Sequence, residues 1–466
     1  MNIAFFCRCL LLTCLFMPFT NVAQRLPWNS FRQQVLERHP LSVQADLFID
    51  QANAALLRAQ GGFDPKAYAD VYSKTFKEKT YFQYTETGIK WPSWGGLEWK
   101  AAYNLASGNY LNPENTLPSG GQATFGFNWS LGQGLLTDDR RTTLRQARIS
   151  LQTADAERTL ARSDLMLEAA KTYWTWAAAD QQLRIYQAAL EQSQIRHQGI
   201  RESFFQGDKP AVDTIESFMQ VQNRQLDLNF AATDLQNARL ALAMFLWPQE
   251  NDESRLAEIS AYAPDSMAFI PIENREEWLN RAISIHPQAR WYQAKLQNLD
   301  LEYRLKREKL KPVLDLNYNL LGAGWSFFPS AADGLSMLTN DIKWGVQFSY
   351  PIPNRKGRGD VQFTRFKIQQ TEQERTQKLR TIETKVRQYA NELDNLRSQI
   401  VLFRDFTDNY QRLLEAENEK FRQGESSVFL INTREQRWLE AQIKYLKLLS
   451  EYMKAEAGLR WAAGEF

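Results

Sequence analysis

The chain has little of what enzymes and metalloproteins are built around. Its 466 residues include three histidines and three cysteines, too few for a multi-ligand metal site, and no cofactor is expected. All three cysteines, Cys7, Cys9 and Cys14, fall near the N-terminus, so none remains to staple a fold further on. Charge of one sign is not in excess: 56 basic and 54 acidic side chains leave a net +2, which argues against a nucleic-acid partner. No GxxxxGK[ST], HExxH or Gly-x-Ser-x-Gly pattern occurs, so no enzymatic role is expected. Beyond the N-terminal segment no apolar run is long enough for a transmembrane helix. A closed β-barrel, the other structure able to span a bilayer, stays open.

What is present begins with an export pattern. Arg8 and the apolar stretch Leu10 to Phe16 read as a signal peptide over residues 1–23, cleaved after Ala23. Leu11-Leu12-Thr13-Cys14 is a poor lipobox, so no lipid anchor is expected.

The rest of the chain repeats itself. His39-Pro40 returns as His286-Pro287 and Pro65 as Pro312, both at an offset of 247, with prolines suited to open and to end a helix. Each copy then alternates polar with apolar or aromatic residues over two strand-like runs. These are Pro65–Phe76 and Gln122–Gly132 in the first copy, Val313–Leu321 and Asn340–Tyr350 in the second. The first copy holds a longer excursion, residues 77–121, with further β-like runs near Tyr81–Lys90 and Gly95–Leu105. It reads equally as extracellular loop or as added β-structure.

A long helical pattern follows in each copy. Leu183, Tyr186, Leu190, Ser193, His197, Ile200 and Phe204 step by three and four, as do Ile400, Phe403, Thr407, Tyr410, Leu414, Glu417 and Phe421. Arg140 to Phe205 alone would span roughly 100 Å as continuous helix. Each pattern breaks at a glycine, Gly207 or Gly424, and a second helix returns over about Val212–Trp247 and Phe429–Trp461. The organisation is therefore a first repeat at 24–248, a Pro- and acid-rich linker at 249–274, and a second repeat at 275–466.

Four core strands cannot close a membrane barrel, for which about eight is the minimum, so a membrane role demands other chains. Aromatics in or beside the strands, Tyr72, Trp129, Tyr318, Trp344 and Tyr350, suit a membrane-interface belt. Ordinary strand enrichment in aromatics explains them as well.

The duplicated strand pair and long hairpin, with turns Phe204-Phe205-Gln206-Gly207 and Phe421-Arg422-Gln423-Gly424-Glu425-Ser426, resemble the TolC-type outer-membrane efflux family along nearly the whole mature chain. The resemblance implies a mixed α and β membrane fold: a homotrimer with a twelve-stranded β-barrel in outer-membrane lipid, continued by an α-helical barrel in the periplasm. It implies a passive exit duct of a tripartite efflux or type I secretion system. The partners would be a periplasmic adaptor (membrane fusion protein) and an inner-membrane transporter of RND or ABC type. Phe205, Gly207, Asp208, Phe421, Gly424, Glu425 and Ser426 would then form the periplasmic tips that dock the adaptor, beside the glycines' ordinary role in ending helices.

The family's pair of pore-lining acids after the second tip does not carry over, because Leu430 and Thr433 stand there. Asp213 and Glu216 after the first tip share a helix face and are candidates for the pore constriction. They are equally explained as acids favoured near a helix N-terminus. His39 and His286 read as helix-boundary residues, and His197 as a packing or lumen residue. Arg140-Arg141 and Arg355, Lys356 and Arg358 read as a solvated collar after the strands. The rival of another class is a periplasmic coiled-coil scaffold or adaptor, which accounts for the hairpins and leaves the strands unexplained.

Overall fold

The computed structural model describes residues 25–113, 116–247, 260–261, 275–325 and 341–466. The expected signal peptide and nearly all of the linker lie outside them. The described residues form two compact units, one within 1–43, 161–282 and 383–466, the other within 44–160 and 283–382.

The duplication is carried by matched helices. α1 (Trp28–Arg38) and α2 (Pro40–Gln60) correspond to α5 (Arg275–Ile285) and α6 (Pro287–Glu308). α3 (Asp139–Phe205) and α4 (Ala211–Leu246) correspond to α7 (Arg355–Arg422) and α8 (Val428–Ala463). The prolines open α2 and α6 because the missing N–H falls among donors the first turn leaves unpaired. In both copies the preceding histidine completes the start: Nδ1 accepts a backbone N–H two residues on, from Leu41 to His39 at 3.2 Å and from Gln288 to His286 at 3.1 Å.

The mainly helical unit has the larger core. Phe31, Met166, Tyr173, Trp176 and Leu242 are wholly buried, and the Tyr173 hydroxyl donates to the Leu26 carbonyl at 2.7 Å. The sequence's stepped seam lies here: Leu190, Ser193, Ile200, Ile400 and Leu414 are buried. A short parallel pair, β1 (Arg25–Leu26) with β6 (Ser260–Ala261), belongs to this unit.

The second unit holds one antiparallel sheet of β2 (Lys66–Phe76), β3 (Lys79–Pro92), β4 (Leu97–Ser107), β5 (Gln122–Ser130), β7 (Val313–Leu321) and β8 (Ile342–Ser349), in that spatial order. Four core strands per chain are expected, with the excursion open as loop or added β-structure; among the described residues this sheet has six. The excursion of the first copy is the hairpin β3–β4, which pairs with β2 on one side and β5 on the other. The strands expected to form a pair in the first copy, β2 and β5, are therefore not neighbours. In the second copy β7 pairs directly with β8, and β5–β7 joins the repeats. The twelve-strand figure presumes four strands per chain, whereas the sheet of the described residues has six.

The strand-to-helix junction explains the basic collar. Arg141 is buried, binding the carbonyls of Gly134 and Leu135 and the Asp138 carboxylate, while Arg140 meets Glu98 at 3.1 Å. These two arginines brace turns rather than form a purely solvated ring.

Candidate functional site: a two-faced sheet and two helical turns

Strand register sorts the sheet's side chains into two faces. One row across all six strands reads Ala67, Ile89, Ala101, Phe125, Leu320, Ile342. Two residues along on the same face, Trp91, Trp99, Phe127, Tyr318 and Trp344 align. The intervening row belongs to the other face: Lys66, Lys90, Lys100, Gly126, Asn319, Lys343. Period-two alternation thus gives one apolar, aromatic-rich face and one polar face.

Burial is opposite to that of a water-soluble sheet. On β3 the polar-face residues Tyr84, Glu86 and Lys90 are half-buried while Thr87, Ile89 and Trp91 are exposed. On β4 Ala102 and Asn104 are buried while Ala101 and Leu105 are exposed. On β8 the apolar face leaves Trp344 (65% exposed), Phe348 (68%) and Val346 (57%) open. Water penalises such a face, whereas hydrocarbon solvates it. Gly88 permits close contact within the wall, since a Cβ there would lie 2.4 Å from the Ala101 carbonyl oxygen.

The polar face carries a built cluster. The Tyr68 hydroxyl donates to Glu86 at 2.5 Å, Lys100 pairs with Glu86 at 2.6 Å, and the Lys90 ammonium lies 4.2 Å from the Tyr68 ring centroid. Sequence reading missed this constellation, because Tyr68 lies 18 or more residues from the other three and the four meet only once β3–β4 is recognised as wall.

The aromatics expected at the interface divide between faces. Trp129, Tyr318 and Trp344 belong to the apolar face, and Tyr350 follows the end of β8. Tyr72 departs from the expected belt: it lies on the polar face, paired with Tyr84 and two residues from Asp70 and Lys74.

In the helical unit both hairpins turn by one motif. Gly207 (φ +84°) and Gly424 (φ +81°) occupy left-handed backbone. At the first turn the Gly207 N–H donates to the Phe204 carbonyl (3.0 Å) and the Asp208 N–H to Ser203 (2.9 Å). At the second the Gly424 N–H donates to Phe421 (3.1 Å) and the Glu425 N–H to Lys420 (2.9 Å). This is the Schellman closure, which satisfies carbonyls the helix end leaves open. Beyond it, Ser427 caps α8 at the Leu430 N–H, and Ser426 donates to Glu417 at 2.5 Å. Lys209 from the first turn sits 4.5 Å from the Phe421 ring of the second, and Phe205 is 72% exposed. Asp213 and Glu216 lie half-buried in the first turns of α4, and His197 shares a 2.9 Å hydrogen bond with Ser217.

Two ionic layers that sequence reading did not single out lie behind these turns. Arg196 of α3 grips Glu435 of α8 with two hydrogen bonds, at 2.7 and 3.2 Å. Arg224 of α4, wholly buried, binds Asp227 at 2.9 Å and Gln436 at 2.6 Å.

Among the described residues no helix is long and apolar enough to cross a membrane. The sequence profile of the outer membrane efflux protein family matches residues 101–246 and 278–465. The chain belongs to the outer membrane efflux protein family. It is an outer-membrane channel, not an enzyme, with a helical part in the periplasm. Among solved structures it is similar to the CmeC outer-membrane channel of Campylobacter jejuni, with 15% identity, 94% of this chain and 86% of that one covered, and TM-score 0.65. It is similar to the outer-membrane channel OprN (14%, 94% and 90%, 0.67) and to the outer membrane protein VceC of Vibrio cholerae (13%, 94% and 95%, 0.64). No curated protein sequence matches it. Family and inverted sheet together set aside the scaffold alternative, which has no use for a lipid-facing wall.

Proposed function

We propose that three copies of the chain assemble into one exit duct of a tripartite efflux or type I secretion system. Cargo would cross the outer membrane passively, with energy supplied by an inner-membrane transporter of RND or ABC type reached through a periplasmic adaptor. The observation that carries this reading is the sheet with polar residues on one face and exposed aromatics on the other, whose two edge strands cannot stay unpaired in lipid. The glycine turns, with exposed Phe205 and with Asp208, Phe421, Glu425 and Ser426 around them, are the adaptor-docking points. Asp213 and Glu216, repeated in three copies, would form a cation-favouring constriction.

Sedimentation of the protein from outer-membrane extracts in mild detergent, with bound detergent subtracted, tests the assembly. A mass of three chains is expected. A monomer recovered in the soluble periplasmic fraction would remove the duct.

A further inference from the structure

We infer that the duct's membrane section is an eighteen-stranded barrel, closed by pairing β8 of each copy with β2 of the next. The inference rests on the trimeric reading above and adds to it the make-up of the wall and the width of the bore.

Three observations carry it. First, β3 and β4 are wall and not an overlying loop. The apolar row from Ala67 through Ile89, Ala101, Phe125 and Leu320 to Ile342 runs without a break across all six strands, and the lysine-bearing row stays on the other face. A hairpin standing out in water has no reason to keep its parity with the lipid-facing face of β5, β7 and β8.

Second, strand direction permits closure. Each of the five pairings is antiparallel, so β2 and β8 at the sheet's two edges run in opposite directions. A second copy set beside the first therefore continues the antiparallel pattern without reversing any strand. This head-to-tail contact closes into a ring on rotation.

Third, the edges are not blunted. β2 and β8 run 11 and 8 residues with no proline in either. β8 exposes Trp344, Val346 and Phe348, and the one irregularity in β2, between Lys74 and Thr75, lies at its far end. An edge left open to bilayer strands its N–H and C=O groups, and another copy of this chain is the occupant whose parity matches on both sides.

The consequence is width. With strands about 4.8 Å apart and tilted by about 40°, eighteen strands give a backbone diameter of about 36 Å, against about 24 Å for twelve. Barrels of 16–18 strands generally keep an aqueous channel. The membrane section would then pass polypeptide- or oligosaccharide-sized cargo without sieving it, leaving selection to the helical part.

Electron cryomicroscopy of the full-length exported protein in nanodiscs tests this. The expected image is a trimer with eighteen strands and a barrel near 36 Å. A second measurement removes residues 79–107, leaving residues 77–78 and 108–121 to join β2 to β5. The barrel of this variant should narrow by about one third, since diameter scales with strand number. A trimer whose unaltered wall has twelve strands, with β3–β4 outside it, overturns the inference and leaves the duct reading intact. Absence of any oligomer overturns both, and the image of the unaltered protein decides even if the shortened variant fails to fold.

Discussion

At the residue scale, the two glycine turns isolate a backbone effect from packing. A Cβ at Gly207 or Gly424 would meet nothing within 4 Å, so replacement by alanine changes only the strain of the left-handed conformation. That strain is about 1–2 kcal/mol for an L-residue. Gly424→Ala should therefore speed hydrogen exchange of the Glu425 amide, which closes the second turn, by about five- to thirtyfold. Unchanged exchange would mean the turn is held by something other than its own closure. His39 offers a second test. Burial against Phe245 pulls its pKa below the ordinary 6.5, and a hydrogen bond to the Met244 carbonyl opposes this. The folded state thus favours the neutral ring, whose Nδ1 accepts the Leu41 N–H. The sign follows: this contribution is full above pH 6.5 and is lost as pH falls below it, where the unfolded chain takes up the proton first. Protection of the Leu41 amide, corrected for intrinsic exchange, should drop between pH 7.5 and 5.5, and His39→Asn should remove that pH dependence. The helix-boundary role of both histidines was legible because each precedes a proline at the same offset. Their acceptor geometry was not, since it depends on which ring nitrogen the fold turns inward.

At the scale of elements, the helices were legible nearly to the residue, because long stepped patterns end at Gly207 and Gly424 and restart after Pro210 and Ser427. The strands were legible as segments but not as a sheet. β5 pairs with β7 across 185 residues, through Ser130 and Asp315, and local alternation carries no information about such partners. The same blindness hid the Arg196–Glu435 layer between α3 and α8, two charges 239 residues apart that meet only when the helices pack. Glu435 is only 3% exposed, so Glu435→Leu should leave Arg196 without its carboxylate and cost about 3–5 kcal/mol. Arg196→Met with Glu435→Leu should recover most of that loss, since a matched apolar pair escapes the desolvation penalty. Thermal unfolding of these two variants and of Arg196→Met alone, followed by far-ultraviolet circular dichroism, distinguishes this outcome from simple additivity.

At the scale of the whole molecule, the sequence excluded a membrane helix and required partner chains for any barrel. It could not say how many strands each chain contributes, because the excursion's parity with β5 appears only in the register. What makes the sheet a membrane wall is the side on which its apolar residues lie, and neighbouring residues test that side directly. Val346 faces outward on β8 and Gln347 faces the polar side, one residue apart on the same strand. Val346→Lys puts a charge into hydrocarbon, at about 2–4 kcal/mol near the bilayer centre, whereas Gln347→Lys adds one more cation to a face that already carries Lys343. The first should deplete folded protein in the outer-membrane fraction and the second should not, as read by heat-modifiable migration on gels. Equal tolerance of both would mean that neither face meets lipid. The reverse order would mean that the sheet's apolar side is covered by protein, and the wall would then have to be sought elsewhere in the chain.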